Sequence, residues 1–239
     1  MSGRPDGRRD DELREIAYEL GYQHWAEGSV LFQQGRTRVL VAASVDEEPV
    51  RWLRGTGRGW VTAEYAMLPR ATAERTPREV SRGRPAGRTQ EIQRLIGRAL
   101  RAVTDLAKLG ERTITIDCDV LLADAGTRCA SITGGWIALA QAVRRLEEAG
   151  VVPAGVLADS VAAVSVAIVG GRPVLDPTYE EDAAAEVDCN VVMTGSGRLV
   201  EIQGTAEGAP FDRGDLDRIL DLAATGIRTL TEIQRSALD

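Results

Sequence analysis

The stretch Gly126-Thr127-Arg128 joins an apolar strand to an apolar helical segment and combines residue types that bind anions. A turn that opens a helix presents unpaired backbone N–H groups at the positive end of the helix dipole. Thr127 would add a hydroxyl donor, and Arg128 would add a planar guanidinium that matches phosphate oxygens. The alternative is that Thr127 or Ser131 caps the helix while Arg128 points to solvent.

A second arginine, Arg88, opens another predicted helix, again directly after a glycine. If the two helix starts face one cleft, Arg88 and Arg128 would hold a tetrahedral anion between them. The alternative is that Arg88 lies on a solvent-facing first turn and binds no ligand.

Six acidic residues and no basic residue lie between positions 176 and 188. The alternation of apolar and polar residues along the strand that follows places Asp188 on a polar face. Asp182, six residues earlier, would approach it. Two close carboxylates favour a divalent cation such as Mg²⁺, or they raise the pKa of one carboxyl so that it acts as an acid. Glu180 and Glu181 are interpreted as part of a solvated loop.

Basic residues are concentrated in one part of the chain, although the net charge is −7. Residues 51–101 contain 12 arginines and four glutamates, which suits a polyanion. Within this stretch, residues 70–84 show no sustained helical or strand period and are predicted to form an exposed functional loop, the arginine loop. Its arginines are Arg70, Arg75, Arg78, Arg82 and Arg84.

Several classes of site have no support in the sequence. The single histidine, His24, excludes a mechanism that needs two imidazoles, and three cysteines without CxxC spacing indicate neither a disulfide framework nor a zinc site. The segment GTGRG lacks the Lys-Ser/Thr ending of a P-loop and is interpreted as an RNA-facing or interface loop. Because no apolar stretch has the length of a membrane helix or the pattern of a signal peptide, we expect a cytoplasmic protein with no membrane partner.

The order of predicted elements is typical of a mixed α/β (α+β) protein. A β-rich stretch over about residues 15–45 precedes a helix over about 88–110, a strand over 113–122 and a helix over about 131–149. Further strands follow, with a hairpin turning at 195–197, and an amphipathic helix begins near Asp212. We expect a single domain over residues 1–239, with helices packed on one face of its sheets.

Seven segments along nearly the whole chain resemble ribonuclease PH, a family of phosphate-dependent 3′→5′ exoribonucleases related to polynucleotide phosphorylase and the exosome core. In order, they are RPDGR, GWVTAEYAMLPRAT, GRTQEIQRLIGRALR, TITIDCDV, GTR, DCNVVMT and IQGTAEG. The resemblance implies the fold of the second domain of ribosomal protein S5. It also implies a homo-hexameric ring built as a trimer of dimers.

The same resemblance implies roles for individual residues. Four of them would hold inorganic phosphate, namely Arg88, Gly126, Thr127 and Arg128. Asp182 and Asp188 would serve catalysis, either through Mg²⁺ or as the acid for the leaving oxygen. The arginine loop would guide RNA, notably the 3′ ends of transfer RNA precursors, and the products would be nucleoside diphosphates.

Four positions depart from the pattern of the family, and none of them removes a charged residue named above. They are Ala86, Ala125, Ala183 and Cys189. Ala125 stands where a second glycine is usual, so it would strain the turn if that turn requires a positive φ.

Two other functions stay open. A non-catalytic RNA-binding ring subunit would keep the fold without the chemistry, and a hydrolytic nuclease would release monophosphates without added phosphate. The presence of the charged residues of the phosphate and carboxylate sites argues against the first of these.

Overall fold

Two β-sheets and the helices between and beside them make up the described part of the chain. The computed structural model describes residues 4–83 and 85–239, with backbone alone at Val80 and Arg82. The first sheet contains β1 (Ile16–Leu20), β2 (Gly28–Gln34), β3 (Thr37–Asp46), β4 (Trp60–Met67) and β5 (Thr113–Leu122). Its strand order is β1-β2-β3-β5-β4, and the β4–β5 pair is parallel.

The second sheet is antiparallel, with the order β7-β6-β8-β9. Its strands are β6 (Val161–Val169), β7 (Arg172–Leu175), β8 (Val187–Thr194) and β9 (Leu199–Ala206). The α-helices are α1 (Gly87–Arg101), α2 (Leu106–Leu109), α3 (Thr127–Glu148), α4 (Tyr179–Ala183) and α5 (Arg213–Ser236). Short 3₁₀ turns occupy Arg51–Leu53 and Glu79–Arg82.

Helix α3 lies between the two sheets, and most of its residues are buried. Small residues allow this close approach: a Cβ atom at Gly134 would lie 3.0 Å from Cβ of Phe32 on β2. Since α3 packs against both sheets, its N-terminal turn is fixed relative to each of them. Side chains of both sheets and of α1, α3 and α5 contribute to one hydrophobic cluster.

The second sheet carries helices on both of its faces, which differs from the expected packing on one face. Asn190 on β8 contacts Cys129 of α3. On the opposite face, Val164 and Leu175 lie against Gly226 of α5. This arrangement explains why every residue of β6 except its last is buried.

The mixed α/β class is confirmed, and the predicted elements are observed with changes. The helix expected over about 88–110 ends at Arg101 and the separate helix α2 follows, while strand β4 was not predicted. Helix α3 begins at Thr127 rather than near Ser131, and the β-rich N-terminal stretch divides into three strands. The hairpin at 195–197 connects β8 to β9, and Asp212 caps α5 through its side chain. Among the described helices, none combines the length and the apolar composition needed to cross a membrane.

Candidate active site

Two consecutive left-handed residues turn the chain from β5 into α3. Ala125 has φ 56°, and Gly126, the N-cap residue of α3, has φ 65°. The first bond of the helix runs from the amide of Ala130 to the carbonyl of Gly126. Within residues 4–83 and 85–239, no side chain caps this first turn. Its amide groups are therefore available to an anion.

The side chains of this turn are held by neighbouring elements. The Oγ1 atom of Thr127 lies 2.9 Å from the hydroxyl of Tyr65 on β4. The Nη1 atom of Arg128 donates to Oε1 of Gln203 at 2.6 Å and to Oε1 of Glu91 at 3.4 Å. The Arg128 side chain is 16% exposed. The alternative of a capping residue and a solvent-facing arginine therefore does not describe this turn.

Ser131, the other residue considered as a cap, lies one turn further along α3. Its hydroxyl donates to the carbonyl of Thr127 at 2.8 Å. That bond satisfies a carbonyl inside the helix and leaves the amide groups of the first turn untouched.

Arg88 is the second residue of α1 and is exposed. Glu79 anchors the start of this helix, because its carboxylate accepts from the amide of Ala86 at 3.0 Å and from the hydroxyl of Thr89 at 2.8 Å. The positive charge of Arg88 acts on the ionisation of both Asp182 and Tyr65. Arg88 therefore lies within electrostatic range of Asp182 and of Tyr65, whose hydroxyl contacts Thr127 in the first turn of α3.

Asp182 on α4 and Asp188 on β8 lie in the same region. Burial raises the pKa of Asp182, and the negative charge of Asp188 raises it further, against the opposing charges of Arg88 and Arg128. Asp188 accepts hydrogen bonds from Ser165 at 3.1 Å and from Asn190 at 3.3 Å. Asp188, Arg88 and Arg128 thus all act electrostatically on Asp182.

Glu181 is buried, and its interpretation as part of a solvated loop is wrong. Nε and Nη2 of Arg4 donate to its two carboxylate oxygens at 2.8 Å and 2.7 Å. Glu181 also completes a capping box with Thr178 at the start of α4. Glu180, in contrast, is exposed as expected. The ion pair joins residues 177 positions apart, which a local charge pattern does not reveal.

The arginine loop presents Arg70, Arg75 and Arg78 to solvent. Its two remaining predicted RNA contacts, the side chain of Arg82 and the whole of Arg84, lie outside the described residues. The charge of Arg78 acts on Asp119 of β5 and opposes the effect of burial, which raises the pKa of that carboxyl.

Oxygen donors at the site fit a Mg²⁺ ion. The described residues contain no group of three or more His, Cys, Asp or Glu side chains arranged to hold a metal. Asp182 and Asp188 form a pair: burial and then the negative charge of Asp188 raise the pKa of Asp182, and a cation would relieve the repulsion between the two carboxylates. Mg²⁺ commonly takes one or two carboxylates and keeps several waters, so a pair suffices.

Residues that contact the site and were missed by the sequence analysis include Tyr65, Ser165, Asn190 and Gln203. The sequence pattern carried a signal for Asn190 and Gln203. Asn190 lies on the same strand face as Asp188, and it pairs with Gln203 across β8 and β9. Tyr65 and Ser165 had none, because their contacts depend on how the chain brings separate strands together.

Comparisons with known proteins agree with this architecture. Residues 12–144 match the model of the 3′ exoribonuclease family, domain 1, and residues 159–226 match domain 2 of the same family. The structure is similar to rice (Oryza sativa) Rrp46, with a TM-score of 0.80 and 16% identity, over 99% of this chain and 100% of that chain. An Archaeoglobus fulgidus exosome with RNA bound to the active site gives a TM-score of 0.79 and 25% identity, over 97% and 92%.

An archaeal exosome core gives a TM-score of 0.77 with 22% identity, over 98% of this chain and 91% of that chain. The resemblance to ribonuclease PH that the sequence motifs predicted is confirmed. Because the match to the first family model alone covers more than half of the residues, the chain belongs to the 3′ exoribonuclease family.

Proposed function

We propose that this protein is a phosphate-dependent 3′→5′ exoribonuclease that shortens RNA, notably transfer RNA precursors, and releases nucleoside diphosphates. One observation carries the proposal: the first turn of α3 is uncapped among the described residues and lies beside two arginines and a carboxylate pair. A hydrolytic nuclease needs to bind only the scissile phosphate of the RNA beside its acids. A phosphorolytic enzyme must hold inorganic phosphate at that place.

The reaction follows from the arrangement of donors. Amide groups of the α3 turn, with Arg88 and Arg128, would hold phosphate with one oxygen directed at the last phosphodiester of the RNA. That oxygen forms a bond to phosphorus while the bond from phosphorus to the 3′ oxygen breaks. The 3′ oxygen leaves with a proton as the new 3′ hydroxyl, and the terminal nucleotide leaves as a diphosphate.

Arg128 can bind phosphate without breaking its hydrogen bonds to Gln203 and Glu91. Within the described part of the chain, Nη1 alone makes its hydrogen bonds, so Nε and Nη2 keep their donors for the ligand. Gln203 is in turn held by Glu91 and Glu201, at 2.9 Å and 3.0 Å. This network would fix the guanidinium before phosphate arrives.

Asp182 and Asp188 have two roles that the geometry supports as alternatives. The raised pKa of Asp182 makes its protonated form easier to reach than that of an ordinary aspartate, and this form would donate the proton to the leaving 3′ oxygen. Alternatively, both carboxylates would hold Mg²⁺, which when bound supplies positive charge to the phosphate oxygens. In either role, Asp188 is oriented by its hydrogen bonds to Ser165 and Asn190.

RNA and further copies of the chain are the proposed partners. The exposed arginines of the arginine loop would contact the phosphates of the RNA backbone. The similarity to exosome structures, one of which has RNA bound to the active site, supports RNA as the substrate. The same similarity supports a ring, which we propose is a homo-hexamer.

The test is an incubation of the protein with a short RNA and Mg²⁺, with and without inorganic phosphate. We expect nucleoside diphosphates that depend on phosphate. Arg128→Ala should raise the phosphate concentration needed for half-maximal rate by about tenfold or more, since a charge-assisted bond contributes about 1.5–3 kcal/mol. Arg228→Ala, on the exposed side of α5, is the matched control and should leave that requirement unchanged.

Other outcomes would overturn the proposal. Monophosphates released without added phosphate would indicate a hydrolytic nuclease. Binding of RNA without release of any nucleotide would indicate a non-catalytic ring subunit.

A further inference from the structure

Arg14, which precedes β1, contacts the loops that carry both halves of the site. It is buried, and its Nε and Nη2 atoms donate to the two carboxylate oxygens of Asp176 at 3.0 Å and 2.6 Å. Its Nη1 atom donates to the main-chain carbonyl of Asp124. That carbonyl directly precedes Ala125, the first left-handed residue of the turn from Ala125 to Arg128 that opens α3, which we call the phosphate turn. Arg14 thus connects the phosphate turn to the segment that leads into α4.

In the described part of the chain, two residues other than glycine have a positive φ. They lie in the two segments that Arg14 connects. Ala125 has φ 56° and Asp176 has φ 51°. Such conformations carry an energetic cost, and they persist where surrounding contacts determine them. Arg14 supplies contacts to both segments, so the strain at each end is supported by the same guanidinium.

Arg4 and Arg8 hold the second segment in the same way. Arg4 donates to the carbonyls of Leu175 and Asp176, at 2.8 Å and 3.1 Å, as well as to Glu181. Arg8 donates to the carbonyl of Asp176 at 3.0 Å. Glu181 is adjacent to Asp182, so these bonds fix the position of α4 and of the acid that it carries.

We propose that these three residues, the arginine clamp (Arg4, Arg8 and Arg14), align the phosphate turn with Asp182, and that Arg14 is a positioning residue for phosphate. The proposal rests on the proposed function. Arg14 is assigned a positioning role because it is buried and each of its three guanidinium nitrogens already donates to Asp176 or Asp124. It acts by keeping Ala125 and Gly126 in the conformation that directs the helix amides at the ligand.

Arg14→Lys is the most informative variant, since it keeps the positive charge but loses the planar fork that reaches Asp176 and Asp124 together. Asp176→Asn is the second variant, because asparagine tolerates the left-handed conformation and removes the ion pair. Arg9→Ala is the matched control. The Arg9 side chain lies in the same segment but is 72% exposed and pairs with Asp11 instead.

The readouts are the dissociation constant of inorganic phosphate, followed by the phosphate-dependent rise in Tm, and the kinetic constants for phosphate and RNA. For Arg14→Lys and Asp176→Asn we expect the phosphate constant to rise about tenfold, a loss of about 1.4 kcal/mol, with RNA affinity unchanged. Arg9→Ala should bind phosphate like the wild type. A role in stability alone would lower Tm without moving the phosphate constant of the folded protein, and that result would overturn the proposal.

Two further results are decisive. If Arg14→Lys does not fold, Arg8→Lys tests the arginine clamp at its more exposed member. An unchanged dissociation constant of phosphate in Arg8→Lys would then reject the clamp. If the wild type binds phosphate but releases no diphosphate, the proposed function fails while the clamp is still tested by phosphate binding. If the wild type does not bind phosphate, both fail.

Discussion

Replacement of Ala125 by glycine should stabilise the protein, although most substitutions of alanine by glycine destabilise one. Ala125 has φ 56°, where an L-residue other than glycine is strained by about 1–2 kcal/mol. Glycine removes that strain but adds about 0.4–1 kcal/mol of conformational freedom to the unfolded chain. The difference ranges from about 0 to 1.6 kcal/mol and centres on a gain of about 0.8 kcal/mol in the free energy of unfolding, or a rise in Tm of about 2–3 °C for a chain of this size.

Thermal unfolding followed by circular dichroism, or calorimetry, would measure the change. Ala224→Gly is the control with the opposite sign, because Ala224 lies within α5, where glycine costs about 1 kcal/mol. Phosphate binding by Ala125→Gly should equal that of the wild type, since the turn already has the required shape. A loss of stability comparable to that of Ala224→Gly would refute the assignment of a left-handed conformation at position 125.

Three other changes should have distinct effects. Tyr65→Phe removes the hydroxyl that contacts Thr127, so Tm should fall by about 2–4 °C, corresponding to one hydrogen bond of about 1 kcal/mol; an unchanged Tm would show that the contact contributes nothing. Asp182→Asn should lower the rate of diphosphate release by at least about 100-fold, as for loss of a general acid. Because burial and Asp188 raise the pKa of Asp182 in the folded state, wild-type stability should fall as pH rises through that pKa, and this pH dependence should weaken in Asp182→Asn. Removal of one exposed arginine from the arginine loop should reduce the salt dependence of RNA binding by about one unit of log–log slope, measured by titration at several salt concentrations, whereas an unchanged slope would place the RNA elsewhere.

The sequence predicted the elements and part of the site because those features are local. Alternation along β5, and the helical spacing of apolar residues in α1 and α5, follow from which face of each element is buried. The phosphate turn was recognisable because Gly126, Thr127 and Arg128 are adjacent in the chain. Asp188 was recognisable because an acid on a strand between apolar neighbours is unusual.

The supporting contacts could not be predicted because they join distant parts of the chain. Arg14 and Asp176 are 162 positions apart, and Arg4 and Glu181 are 177 apart. Each pair is a buried arginine with a buried acid, and neither residue type is normally buried without such a partner. A local pattern therefore places Glu181 at the surface, and the fold alone reveals the partner that buries it.

The origin of the phosphate in the released nucleotide tests the central claim most directly. The protein would be incubated with a short unlabelled RNA, Mg²⁺ and inorganic phosphate labelled with ³²P, and the released nucleotides would be separated. If phosphate bound at the first turn of α3 is the nucleophile, every released diphosphate carries the label in its β position, and Arg128→Ala greatly reduces this incorporation at low phosphate concentration. Unlabelled monophosphates, released at the same rate with and without phosphate, would contradict the account.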